Sequence, residues 1–280
     1  MKVRILLGAA VIAFGAGLAG LAGPVVAASA DPVSAPLCPA AGLALAGTHH
    51  NLTVRGNAYV ADGATLTVTG NLRLAPGSCL DAFSLGTVHV GHNVLVSHGA
   101  TLALGCAPGA NGPPPIAPCY FQTTNDTVGG SIIAYGPQTM YLTAVTVGHN
   151  VISIGGGPGT AAVGVSFPVK NMNIHGNLVL AGWHGGWIGA LRNHVDGDMV
   201  IAGNAGSRIG ESGVPDSTEI VTNTIAGKLA CYANVPAAQF GDSGGSPNIV
   251  GGFAVGQCGF GVLKPNPTPN GPLEHISLHA

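Results

Sequence analysis

The densest group of chemically able side chains in this sequence is Arg192-Asn193-His194-Val195-Asp196-Gly197-Asp198. Val195 reads as the inward aliphatic of a strand. Period-two alternation then sends His194 and Asp196, and roughly Arg192, to the other face, with Asp198 in the following turn. At a step of 21 residues, Asn171, Asn173, His175 and Asn177 stand in the same spacing. Stacked as neighbouring strands, the two segments bring His175 to about 4.8 Å from Asp196, close enough to couple. An imidazole beside a carboxylate suits general acid–base catalysis, and carboxylates with imidazole also hold cations, Asp196 and Asp198 being the ligands on offer. The plainer reading is a solvated face whose His–Asp pair contributes little. Arg192, His194, Asp196 and His175 are the catalytic candidates, set against that plainer reading.

Other residues carry weaker signals. Trp183 and Trp187 flank His184-Gly185-Gly186, one coil edge from this group. Exposed, they would stack on sugar rings as substrate-binding residues; the alternative is aromatics that close a loop over the core. His50, His92 and His149 each precede an Asn and read as turn residues before metal ligands. Gly241-Asp242-Ser243-Gly244-Gly245 resembles the nucleophile segment of chymotrypsin-like serine proteases and also fits G-x-S-x-G. The first pattern needs an upstream His in a Cys-flanked context, which is missing. The second needs a strand-to-helix turn followed by an acid and a His. Glu274 and His275 supply that order, but from a Pro-rich tail with no helix predicted, so Ser243 reads as a loop residue. Asn51-Leu52-Thr53 and Asn125-Asp126-Thr127 match glycosylation sequons, short patterns of the length chance supplies.

The elements that position these residues follow from a low-charge, Gly-rich composition. Charged residues are 7% of 280, against about 25% in ordinary soluble proteins. Forty-six glycines oppose long helices and coiled coils. Nine basic against eleven acidic residues exclude a nucleic-acid binder, which needs a Lys/Arg surplus.

A repeat organises the chain. It reads Val68-Thr69-Gly70-Asn71-Leu72-Arg73-Leu74, and again Ile174-His175-Gly176-Asn177-Leu178-Val179-Leu180. Val195-Asp196-Gly197-Asp198-Met199-Val200-Ile201 and Ile225-Ala226-Gly227-Lys228-Leu229 continue it. The Asn column falls at positions 51, 71, 93, 131, 150, 177, 198 and 228, in steps of 20, 22, 38, 19, 27, 21 and 30. The 38-residue step reads as one coil carrying the 106–119 loop as an insertion. Alternation within each copy means strands, and copies of one sense with few hairpin signals favour a stacked solenoid over a sandwich or propeller. Each coil then adds parallel strands, and the Asn column forms a side-chain ladder. The fold class expected is all-β, a parallel β-helix of about eight to ten coils.

On these motifs the chain resembles the secreted right-handed parallel β-helix proteins of the pectate-lyase-like superfold, among them bacterial exported members with G-N-L-x-V coils and no assigned chemistry. The likeness covers roughly residues 43–262 and specifies architecture, implying that the helix is right-handed. Enzymes of that superfold are mostly polysaccharide lyases and hydrolases, which the resemblance implies only as a class. Their Asp-rich calcium cluster and the Arg/Lys base beside it are not matched here, so calcium enters only with the carbohydrate-active reading.

Residues 1–30 read as a cleaved signal peptide: Lys2 and Arg4 precede an apolar run over 5–23, and Ala28 and Ala30 form the A-x-A site. Losing those two leaves seven basic against eleven acidic residues, a net charge of −4. Residues 31–42 read as a leader capping the first coil, and 263–280 as an extended Pro-rich tail. No later apolar run reaches membrane-spanning length. In an oxidising compartment the six cysteines suggest three disulfides, expected as Cys106–Cys119 and Cys231–Cys258 across Gly-rich segments, and Cys38–Cys79 by elimination. The leading function is an exported structural or adhesive rod at the cell surface, meeting a cell-wall or extracellular polysaccharide or associating with itself. The competing reading is a carbohydrate-active enzyme on the 192–198 face, and the third a serine hydrolase on Ser243.

Overall fold

In the computed structural model the chain visits three sheets in rotation. Leu43–Ala44 opens sheet A, Gly47–His49 sheet B and Leu52–Val54 sheet C, after which Asn57–Tyr59 returns to sheet A beside the first strand. The described residues are 38, 42–83, 86–105, 125–158, 166–206, 218–240 and 246–259, with the strands at 262–264 and 274–275 described by backbone alone. Sheet A has 8 strands, sheet B 11 and sheet C 9, and a two-stranded sheet joins His184–Gly185 to Ala205–Gly206. Every pairing between the strands of the stack is parallel, as in a β-helix solenoid, and no helix occurs among the described residues. Among the described strands one pairing is antiparallel, that of Val262–Lys264 with Glu274–His275 on sheet B.

Alternation fills the interior. On sheet B the inward column runs Val68, Val90, Val128, Val147, Ile174, Val195, Ile225 and Val250, all buried. β-Branched residues suit this position, since they pack flat against the same residue type one strand away. The coil step is set at the corner between sheets B and C. There each side chain of the Asn column accepts the backbone N–H of its successor: Asn51 from Asn71 at 2.8 Å, Asn93 from Ser131 at 2.9 Å, Asn177 from Asp198 at 2.7 Å. Because Asn93 bonds directly to Ser131, the 38-residue step is one coil with an insertion.

Three long connections begin or end on sheet A. One leaves Thr101–Gly105, one runs from sheet C to Ser166–Lys170, and one runs from Ala205–Gly206 of the two-stranded sheet to Thr218–Val221. Outward positions on sheet A are buried as well, among them Thr101, Ala103, Leu191, Glu219 and Val221. Sheets B and C keep the alternation of buried and exposed residues expected of a solvated face. Of the expected disulfides, Cys38–Cys79 ties the leader to sheet A at a Cα separation of 5.6 Å, and Cys231–Cys258 closes adjacent coils of sheet C at 5.1 Å. Both separations are ordinary for a disulfide. Cys106 and Cys119 lie outside the described residues.

Candidate functional site

The 192–198 segment enters sheet B through a corner made by one left-handed residue followed by a buried one. Arg192 takes φ 55°, as Asn171 and Thr222 do at φ 54° and 58° in the coils on either side. The residue after each turns inward: Met172, Asn193 and Asn223 are buried. Asn193 accepts the N–H of Met172 at 3.1 Å and donates to the carbonyl of Val169 at 2.9 Å. Asn223 accepts the Asn193 N–H at 2.9 Å, and Asn248 accepts that of Asn223 at 3.0 Å. A third ladder at the corner from sheet C runs through Asn204, Asn234 and Gln257. These interior amides satisfy backbone groups that turn corners out of reach of water, which is why a low-charge core contains them.

Held by that corner, His194 pairs with Asn173 in register and Val195 with Ile174. The four vertical pairs expected from the spacing all form. Arg192 Nε donates to Asn171 Oδ1 at 2.8 Å, and His175 Nδ1 lies 2.8 Å from Asp196 Oδ2. Asn177 takes the Asp198 N–H, and His194 sits over Asn173. His194 Nε2 also reaches Asp196 Oδ1, at 3.0 Å. Asp196 is thus a fork between two imidazoles, each donating in the tautomer that carries its proton on that nitrogen. The His175 hydrogen bond holds the Asp196 carboxyl below its usual range against a smaller desolvation, with the charge and hydrogen bond of His194 adding to it. Asp198 is also lowered, first by the Lys228 backbone N–H and further by its ammonium at 3.2 Å.

Chemically, the fork orients two rings and leaves His175 Nε2 and His194 Nδ1 as the nitrogens turned from the carboxylate. Among the described residues no wall rises beside it. Trp183 and Trp187, expected to stack on sugars, are 1% and 3% exposed. Trp183 packs edge-on against Phe167 inside the solenoid, with ring centroids 6.0 Å apart. Trp187 lies on the covered face of sheet A with Leu191 and Val221, beneath the Lys170 ammonium at 4.9 Å. Neither indole is open to a ligand, and the substrate-binding assignment is corrected accordingly. The adjacent outer surface of sheet B is low, with Gly148 and Asn173 beside the fork. A shallow hollow on this sheet lies farther along, over Thr67, Thr69, His89, Gly91, Thr127 and Gly129.

The donor set does not fit a calcium site. Calcium takes six to eight oxygens; Asp196 is engaged by two imidazoles and Asp198 by Lys228. Among the described residues no group of three or more His, Cys, Asp or Glu is placed to hold a metal. His50, His92 and His149 stand exposed at the corner of the Asn ladder. Ser243 lies outside the described residues.

No protein-family model, curated protein or solved structure matches this chain.

Proposed function

We propose that the mature chain is an exported structural or adhesive rod, a right-handed parallel β-helix of about eight to ten coils related in kind to the pectate-lyase-like proteins. Residues 1–30 are its removed signal peptide. One observation carries the reading: the charged groups of the 192–198 face satisfy one another. Asp196 is tied to His175 and His194, Asp198 to Lys228, and Arg192 to Asn171. Among the described residues no groove gathers them around a substrate, whereas cleaving a polysaccharide needs acid, base and binding residues converging in a cleft. The two disulfides suit an oxidising compartment, and no helix among the described residues is long and apolar enough to cross a membrane.

A carbohydrate-active enzyme is the second reading, and the fork favours it, since a carboxylate that fixes the tautomer of an imidazole poses that ring as a general base. Fractionation of the producing cells tests the first reading. The protein should appear outside the cytoplasm with Asp31 as its first residue and should co-sediment with isolated cell-wall or extracellular polysaccharide. An uncleaved cytoplasmic protein that binds neither would overturn it.

A further inference from the structure

Sheets B and C share one coil geometry but present opposite chemistry to solvent. The outward column of sheet B runs Thr67, His89, Thr127, Thr146, Asn173 and His194. The equivalent column of sheet C runs Leu95, Ile133, Ile152, Val179, Val200, Ala230 and Val255, with Ala230 buried and the others half-buried. Beside it stands a second outward column of Tyr135, Ile154, Ala181, Ala202 and Tyr232. Tyr135, Ile154 and Tyr232 are 61%, 45% and 49% exposed. A monomer with a polar alternative available has no reason to place β-branched aliphatics along a solvated strand column, and an exposed apolar patch of this length marks an interface.

We propose that the outer face of sheet C is the contact between two copies of this chain, packed face to face about a two-fold axis with their coil axes antiparallel. This goes beyond the rod reading and stands on sheet C alone. Area supports it. Seven strands at about 4.8 Å each make a face about 34 Å long. Four residues of width give roughly 450 Å² of plan area per copy, so a pair buries roughly 1,000 Å² or more, the size a specific interface must clear. Charge fixes the orientation. Arg73 continues the apolar column one strand before Leu95 and is exposed. With axes parallel, Arg73 would face the other copy's Arg73. With axes antiparallel and Val179 on the two-fold, Leu95 meets Val255 and Arg73 passes beyond the other copy's last strand into water. A slip of one coil would desolvate it, so Arg73 also sets the register. Sheets with aliphatic inner faces pack in this way about 10 Å apart.

Sedimentation velocity on the mature protein from about 1 to about 100 µM covers the range in which such a dimer populates. Twice the chain mass, falling on dilution, is expected. Val179→Asp, which sets two carboxylates against each other at the axis, should weaken association about 100-fold or more, while Thr224→Asp on sheet B leaves it intact. Circular dichroism of each variant shows whether the coil stack survives. As a second readout, Val179→Cys should cross-link to itself, and Leu95→Cys only when mixed with Val255→Cys. A monomer throughout the range, a dimer that survives Val179→Asp, or a Leu95→Cys protein that cross-links to itself would overturn the proposal. So would a monomer that sediments with phosphatidylcholine vesicles, which would assign the face to lipid.

Discussion

Replacing Asn223 by Ala should destabilise the protein far more than the same change at Asn177, although both are rungs of stacked amide ladders. Asn223 is buried and its side chain makes four hydrogen bonds. It accepts from the Asn193 N–H and Nδ2, both at 2.9 Å, and donates to Ala190 O and Asn248 Oδ1, both at 2.8 Å. Alanine leaves the Asn193 N–H and the Ala190 carbonyl without these partners inside the solenoid. At about 1–3 kcal/mol per orphaned buried group, the two cost about 2–6 kcal/mol. Asn177 also holds a neighbouring N–H, that of Asp198, and donates to Asn150 Oδ1 at 3.1 Å, but it is exposed. Water takes over both bonds, so Asn177→Ala should cost under about 1 kcal/mol. Urea unfolding followed by circular dichroism measures both. Equal losses would refute the claim that burial, and not the ladder itself, decides the energy.

Four further outcomes are expected. Asp81→Asn should raise the unfolding midpoint at pH 7 and not at pH 3: burial pushes the Asp81 carboxyl up against the smaller effect of the Phe83 N–H, so its charged form is penalised above the folded pKa and relieved as pH falls. Asp196 and Asp198 act with the opposite sign; their depressed carboxyls contribute above the unfolded value of about 3.9 and lose that contribution as pH drops below it, so Asp196→Asn should flatten the acid limb of a stability–pH curve. Tryptophan emission should be blue-shifted, poorly quenched by acrylamide and unchanged by added glycans, since both indoles are buried; ready quenching would restore them as surface residues. Peptide mapping without reduction should recover Cys38 joined to Cys79 and Cys231 joined to Cys258, and free thiol at any of these four would contradict the fold at both sites.

The solenoid was legible because its outer Asn column recurs beside a Gly in a fixed turn, and turn chemistry is local. The fork was legible for a related reason: once two coils align at a step of 21, His175 over Asp196 is arithmetic. The interior ladders were harder to see. Asn193 and Asn223 each precede a marker of the outer column by five residues, Asp198 and Lys228. That regularity was available, but an Asn next to a strand reads as surface unless the left-handed residue before it is known. The tryptophans misled because their neighbours are His and Gly. Yet each Trp has a Gly two positions on, Gly185 and Gly189, where a Cβ would fall on the indole ring. On one face of a strand, Trp followed at i+2 by Gly describes a ring lying flat on backbone, a packing pattern and not a binding one.

Turnover on a panel of neutral and acidic glycans, with and without calcium, bears most directly on whether the 192–198 face is a solvated ion cluster on a rod. The wild-type protein and Asp196→Ala should both show no turnover, with unchanged circular dichroism. Cleavage of any glycan by the wild type that disappears in a folded Asp196→Ala would contradict the rod and establish the fork of His175, Asp196 and His194 as an active site.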